Sequence, residues 1–138
     1  MKMDIYRLLA IDYGEKRVGI ALSDPMRTIS KPYRVLANAP GLWDELNSII
    51  ISEKVGRIIL GLPLNFEGED TQKTREVRAF GEELTRRVDI PWEFYDESFT
   101  SQDANQSLKT MGYSVKESRK VIDMVAAALI LRNYLENK

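Results

Sequence analysis

Three apolar runs separated by polar turns open the chain and predict three β-strands. Residues 6–12 (YRLLAID) and 17–23 (RVGIALS) are joined by a short turn, so these two strands should pair antiparallel. In the second run large apolar residues alternate with small ones such as Gly19, which indicates two faces of different character. Residues 30–36 form a third strand, and Pro32 places it at an edge because proline cannot donate to a neighbouring strand.

From residue 41 the apolar positions recur every three or four residues, which predicts helices alternating with strands. The first helix runs from Gly41 to near Gly56, and a short buried strand follows at residues 57–61. The remaining elements are a loop at 62–70, a helix at 71–88, a strand at 90–96 and two helices at 100–111 and 114–134. Ser114 and Glu117 have the spacing of a capping box at the start of the last helix.

The order of these elements predicts an α/β fold. Right-handed crossovers place the fourth strand beside the first, with the last strand beyond it. We therefore expect a mixed five-stranded sheet, three antiparallel strands followed by two parallel ones, with helices on both faces. A chain of 138 residues has the length of a single domain.

Composition limits the chemistry that such a domain can perform. The chain has no Cys and no His, which excludes thiolate nucleophiles, Ser–His–Asp triads and the usual zinc sites. Its 20 basic and 21 acidic residues leave a net charge of −1, so a basic surface for nucleic acid must be local. No long apolar stretch or leader pattern is evident, and we expect a cytoplasmic protein.

Three acidic residues lie in separate apolar elements, where ionised carboxylates are rarely tolerated without a partner. Asp12 ends the first strand, Glu97 follows the last strand, and Asp123 lies on the inward face of the final helix. Sites in such sheets form beyond the carboxyl ends of parallel strands, so the three can converge. Oxygen ligands favour hard cations, and the pattern indicates a Mg²⁺ or Mn²⁺ site suited to phosphodiester hydrolysis.

Each carboxylate also has an ordinary structural interpretation. Asp12 can bond its own backbone in a turn, and Glu97 can cap the following helix. Asp123 can form a salt bridge with a basic residue of its own helix, for which the candidates are Arg119, Lys120 and Arg132. We favour the metal site because one bound ion accounts for all three carboxylates, whereas the structural interpretations require a separate explanation for each.

Basic residues near these carboxylates are candidates for phosphate contacts. Lys16 and Arg17 follow the first turn, and Lys116, Arg119 and Lys120 precede Asp123 on the last helix. We interpret the basic residues of the helix at 71–88 as surface residues, namely Lys73, Arg75 and Arg78.

Four segments of the chain closely resemble the signature segments of the YqgF/RuvX family. They are AIDYGEKRVGIALSD (10–24), IILGLPLNFEGED (58–70), YDESFTSQDA (95–104) and KVIDMVAAALILRNYL (120–135). They occur in family order and span nearly the whole chain. The resemblance implies a ribonuclease H-like fold of the Holliday-junction-resolvase type, and a nuclease that matures the 5′ end of pre-16S ribosomal RNA.

The resemblance also assigns residues. The acidic triad of the family falls on Asp12, Glu97 and Asp123, and a family threonine falls on Thr100. The chain departs from the family segment Asp-Glu-Arg-Leu-Thr-Thr after its glutamate, with Ser98, Phe99 and Ser101 in place of Arg, Leu and the second Thr. Loss of the arginine removes a phosphate contact or a charge partner and bears on efficiency more than on reaction class.

Several functions remain open at this point. The first is a Mg²⁺- or Mn²⁺-dependent endonuclease whose partner is structured RNA, including a pre-ribosomal particle, or branched DNA. A resolvase of four-way junctions would favour a homodimer. The second is a nucleic-acid-binding or ribosome-associated module without activity, and the third is a sugar-kinase or actin-like ATPase, which would need a second lobe.

Overall fold

Five strands form one mixed sheet in the spatial order β3-β2-β1-β4-β5. The computed structural model describes residues 5–65, 67–97 and 115–137, and the side chains of all of these except 97 and 115–120. The strands are β1 (Arg7–Asp12), β2 (Arg17–Ser23), β3 (Ser30–Ala37), β4 (Val55–Pro63) and β5 (Trp92–Glu97). The helices are α1 (Leu42–Ser52), α2 (Gln72–Arg87) and α3 (Val115–Glu136).

The pairing of the strands confirms the predicted topology. β1 pairs antiparallel with β2, and β2 pairs antiparallel with β3, because short turns join them. β4 pairs parallel with β1, and β5 pairs parallel with β4, each after a helical crossover. β3 is an edge strand, as Pro32 predicts. The carboxyl ends of β1, β4 and β5 therefore lie at one end of the sheet.

Strand alternation divides the core into two layers. Leu9 and Ile11 of β1 pack on the face that carries α1 and α2. Leu8 and Ala10 point to the opposite face and pack in one cluster with Ala127 and other residues of α3. The prediction of helices on both faces is thus confirmed, and α3 is alone on its face among the described helices.

The sequence-based boundaries are wrong at several places. β5 runs over Trp92–Glu97 rather than 90–96, so Glu97 is the last residue of the strand and does not follow it. β4 begins at Val55 and ends at Pro63, two residues beyond each predicted end, so Leu62 belongs to the strand and not to the loop. α1 ends at Ser52 rather than near Gly56, because Lys54 adopts a positive φ of 54° that stops the helix. The longer strand carries the sheet further toward the end where Asp12 lies.

Some predicted features fall outside the described residues. These are the helix at 100–111 and the cap at Ser114. None of the helices in the described part of the chain combines the length and apolar character that crossing a membrane requires.

Candidate active site

Asp12 lies at the carboxyl end of β1, on the face of the sheet that α3 covers. It is two residues beyond Ala10, which packs in the layer with α3, and it pairs with Gly19 across the β1–β2 ladder. The residue is partly buried. Within the part of the chain that the structure describes, its carboxylate makes no hydrogen bond and no ion pair. A carboxylate in this position is removed from water without a hydrogen bond or an ion pair to replace its hydration.

Gly19 brings α3 to Asp12. A Cβ atom at this position would collide with the backbone carbonyl of Asp123 and crowd the backbone nitrogen of Met124. Only a residue without a side chain therefore allows the helix to approach β2 so closely. Because Gly19 is the cross-strand partner of Asp12, the same approach places Asp123 beside Asp12. The predicted inward face of the helix, Ala126, Ala127, Ile130 and Leu131, is buried as expected.

The electrostatics of Asp12 reflect this crowding. The pKa of its carboxyl group is raised from the ordinary 3.8 to about 7. Burial is the largest cause, the nearby Lys73 ammonium partly offsets it by lowering the pKa, and the Asp123 carboxylate raises it further. Two carboxylates close together repel, and a divalent cation between them reverses that repulsion. The unpaired Asp12 and the oxygen-only donor set thus fit a hard cation such as Mg²⁺ or Mn²⁺.

Asp123 does have a partner, and among the described side chains it lies on β2 and not on the helix that carries Asp123. The Arg17 Nε donates to Asp123 Oδ2 at 3.0 Å, and the two residues are 106 positions apart in the sequence. Arg132, one of the three partners considered from the sequence, lies 4.0 Å from Glu136 instead. The side chains of Arg119 and Lys120 lie outside the described part. The ion pair therefore connects the start of β2 to α3 across the site.

Lys73 is the functional candidate that the sequence-based interpretation missed. It is the second residue of α2, whose N-terminus is held by the reciprocal capping box of Thr71 and Thr74. The Thr74 hydroxyl also donates to the carbonyl of Pro63, which ties this helix start to the end of β4. As a result the Lys73 ammonium lies 5.7 Å from the centroid of the Tyr13 ring and acts on Asp12. Its position directly after the loop that follows β4 was the signal available in the sequence.

Glu97 is the last residue of β5, where it pairs with Pro63 of β4, so its backbone lies at the same end of the sheet as Asp12. Its side chain lies outside the described part, and the convergence of all three carboxylates stays a prediction. Among the side chains that the structure describes, no three acidic residues are grouped closely enough to hold an ion. Asp12 and Asp123 are the two predicted ligands that the described side chains bring together.

The predicted phosphate-binding residues divide in the same way. Lys16 and Arg17 are exposed beside the site. Lys16 lies in the turn before β2, and Arg17 is the first residue of β2. Thr100 and the side chains of Lys116, Arg119 and Lys120 lie outside the described part, so their roles stay predictions.

The raised pKa of Asp12 predicts how stability depends on pH. An acid whose pKa is higher in the folded protein than in the unfolded chain binds its proton more tightly when folded. In the presence of a chelator, the free energy of unfolding should therefore fall as the pH rises from 3.8 toward about 7, which are the pKa values of Asp12 in the unfolded and folded protein. Asp12→Asn should remove this loss and stabilise the metal-free protein at about pH 8 by at least about 1 kcal/mol. Urea unfolding at about pH 5 and about pH 8 measures both effects.

Lys73→Gln should act in the opposite direction in the same experiment, because it removes the cation that offsets burial of Asp12. Arg75→Gln is the matched control, since it removes the same charge from the same helix turn but does not act on Asp12. Equal stability of the Lys73 and Arg75 variants at about pH 8 would contradict the role of Lys73.

Comparison with known proteins identifies a family whose model matches this chain and relatives that are similar to it. Residues 6–137 match the model of the RuvX family, which is described as Holliday junction resolvase. A relative from Maridesulfovibrio salexigens, named "Putative pre-16S rRNA nuclease", is 44% identical over 131 residues, covering 94% of this chain and 97% of the relative. A protein of the same name from Koribacter versatilis is 34% identical over 134 residues, covering 96% of this chain and 88% of that protein.

Two solved structures share the fold. T. thermophilus RuvC in complex with a Holliday junction substrate superposes with a TM-score of 0.58 at 12% identity, covering 96% of both chains. Fowlpox virus resolvase, solved with substrate Holliday junction DNA, gives a TM-score of 0.55 at 12% identity, covering 95% of this chain and 97% of that one. At such low identity the likeness concerns the fold alone, and it confirms the expected ribonuclease H-like, resolvase-type architecture.

Proposed function

Because this chain belongs to the RuvX family of Holliday junction resolvase-like proteins, we propose that it is a metal-dependent endonuclease that processes the 5′ end of pre-16S rRNA. The relatives that share 44% and 34% of its residues carry the name of that nuclease. The chain covers nearly the full length of both, so the proposal concerns the same unit of structure. The proposed location is the cytoplasm, where ribosomal RNA of a bacterium is made and cut.

The observation that carries the proposal is the state of Asp12. It is partly buried, it has no partner in the described part of the chain, and Asp123 faces it across Gly19. An arrangement that raises the pKa of a carboxyl group to about 7 opposes folding at neutral pH. Such groups cluster at functional sites, where the unfavourable placement serves chemistry.

We propose Asp12, Asp123 and Glu97 as the residues that hold Mg²⁺ or Mn²⁺. The alternation along β5 supports the assignment of Glu97. Glu93 and Tyr95 both contact Tyr134 of α3, and Glu97 follows them at the same two-residue spacing. A divalent ion bound there would supply Lewis-acid stabilisation of a phosphoryl oxygen and a more acidic water. The protein contributes the fixed, partly buried carboxylates of Asp12 and Asp123, around which charge is less screened than in water.

The substrate backbone is proposed to pass over the cations that surround this site. Lys16 and Arg17 lie on the β2 side, and Lys73 lies on the α2 side. Phosphates between them would meet positive charge from both sides of Asp12, and such contacts position nucleic acid without reading its sequence. Thr100, Lys116, Arg119 and Lys120 remain proposed contacts on the strength of their places in the sequence.

A second candidate is the resolution of branched DNA by a homodimer. The description of the family and the fold shared with T. thermophilus RuvC favour it. A two-fold dimer would present two equivalent sites to a four-way junction. Contacts to the 2′-hydroxyl are what distinguish an RNA substrate from a DNA substrate.

The proposal is tested by offering purified protein two labelled substrates, a pre-16S RNA with its 5′ leader and a synthetic four-way DNA junction. Each is incubated with Mg²⁺, with Mn²⁺ and with chelator. We expect cleavage of the RNA within the leader that depends on either metal. Cleavage of the junction alone would favour the resolvase, and tight binding without cleavage of either substrate would identify a binding module instead.

A further inference from the structure

The Arg17–Asp123 ion pair occupies one of the two described carboxylates on which the proposed metal site depends. The two side chains meet through a single contact, Nε to Oδ2 at 3.0 Å, and Arg17 brings no second hydrogen bond to this carboxylate. Their exposures are unequal, since the arginine side chain is 56% exposed and the aspartate side chain 22%. The aspartate is therefore the more buried partner, and the guanidinium reaches it from the surface.

An ion pair of this kind is weak and readily exchanged. Exposed pairs typically change an equilibrium constant by less than about fivefold. Because Asp123 also faces Asp12, a divalent ion stabilises its negative charge more than Arg17 does, since the ion neutralises both carboxylates at once. Nothing in the geometry fixes Arg17 to Asp123 once a stronger cation is present.

The freed guanidinium would lie where substrate phosphates are expected. Arg17 is the first residue of β2 and follows directly on the exposed Lys16, at the same end of the sheet as Asp12. Guanidinium groups bind phosphate in a bidentate fashion, which Asp123 does not offer Arg17 here. The arginine thus has a better partner available in the substrate than in its own protein.

We propose that Arg17 is an exchangeable counter-ion, which neutralises Asp123 in the metal-free protein and turns to a substrate phosphate when metal occupies the carboxylates. This inference rests on the proposed function. The exchange couples binding of the metal ion to binding of the nucleic acid. Metal binding releases the Arg17 guanidinium for a phosphate, and a bound phosphate removes that guanidinium from Asp123, where it competes with the metal. By linkage, each ligand then raises the affinity of the protein for the other.

The test measures Mn²⁺ binding to the protein alone by electron paramagnetic resonance, without nucleic acid and without turnover. Arg17→Gln removes the competing cation, and Lys16→Gln is the matched control, since it removes the same charge from the neighbouring position and has no ion pair with Asp123. Both variants lessen general repulsion of Mn²⁺, so only the difference between them reports exchange. We expect Arg17→Gln to bind Mn²⁺ about two- to fivefold more tightly than Lys16→Gln.

A second measurement follows binding of a phosphorothioate-protected RNA by fluorescence anisotropy, with Mn²⁺ and with chelator. Wild-type protein should bind this RNA more tightly with Mn²⁺, and Arg17→Gln should lose most of that gain. Lys16→Gln, which removes a proposed phosphate contact, should weaken binding equally with Mn²⁺ and with chelator and so keep the gain. Arg17→Lys, which retains the charge but not the planar fork, should bind Mn²⁺ like wild type and recover only part of the gain.

Equal or weaker Mn²⁺ binding by Arg17→Gln relative to Lys16→Gln would overturn the proposal and identify the ion pair as a brace for α3. This result is distinct from failure of the proposed function. If wild-type protein binds no Mn²⁺ at all, or if Asp12→Asn binds it as well as wild type, the metal centre itself is wrong and the exchange falls with it. If Asp12→Asn abolishes binding and Arg17→Gln leaves it unchanged, only the exchange is overturned.

Discussion

Replacing Asp12 by Asn is expected to reduce metal-dependent cleavage on the order of 10³-fold or more, because a metal centre supplies several kcal/mol of transition-state stabilisation. The amide keeps the size of the side chain but removes the charge that would hold the ion. Asp12 is the strongest candidate ligand, since its carboxylate makes no hydrogen bond and no ion pair in the described part of the chain. Initial rates on labelled pre-16S RNA at saturating Mg²⁺ measure the loss.

The control for this variant is Asp44→Asn. Asp44 is an exposed acid in the first turn of α1, so its substitution removes one negative charge without touching the site. It should leave cleavage within about twofold of wild type, as exposed substitutions usually do. The Asp12 variant should also be at least as stable as wild type in chelator, so a loss of cleavage cannot be attributed to unfolding. Cleavage by Asp12→Asn at the wild-type rate would remove this residue from the mechanism.

Gly19→Ala is expected to destabilise the protein by about 3 kcal/mol, near the upper end for overpacked positions. The added methyl group would meet the backbone of Asp123 and Met124, and backbone atoms have no rotamer with which to move away. α3 must then shift from β2, and Asp123 must shift with it. We expect weaker Mn²⁺ binding as well as a lower free energy of unfolding, measured by urea denaturation with unchanged m-value.

Gly41→Ala provides the matched comparison. A Cβ at Gly41 meets no atom within 4 Å, and its φ of −80° suits any L-residue. This change should be neutral or stabilise the protein by up to about 1 kcal/mol, because it restricts the unfolded chain. If the two glycine variants are equally stable, the close approach of α3 to β2 is not what places Asp123.

The architecture was accessible from sequence because it depends on local spacing. Alternation in residues 6–12 and 17–23 assigns opposite faces to neighbouring side chains, and these faces are the ones that the two core layers use. The boundaries of β4 were less accessible, because Leu62 and Pro63 look like loop residues until a parallel partner strand pairs with them. Pro63 is tolerated there because the ladder between β4 and β1 ends at Leu60, so among the described strands Pro63 has only β5 beside it.

The candidate site was accessible only in part. Asp12 and Asp123 could be found because a charge within an apolar element is conspicuous wherever the fold places it. Lys73 was harder to find, since a lysine in the first turn of an amphipathic helix resembles any other surface residue and only its place after the loop that follows β4 sets it apart. The partner of Asp123 was equally hidden, because residues of its own helix are the natural candidates and Arg17 is 106 positions away.

The sequence by itself determined which elements form, which of their faces are buried, and that any chemistry must rest on carboxylates, hydroxyls, amines or a bound ion. Periodicity and composition encode these properties, and both are visible one segment at a time. Only the tertiary structure decided which charges meet: Asp12 with Asp123 across Gly19, Asp123 with Arg17, and Asp12 with Lys73. The reason is physical, since electrostatic contacts depend on distances of a few ångströms between elements, and those distances are set by strand register and by the missing side chain at Gly19.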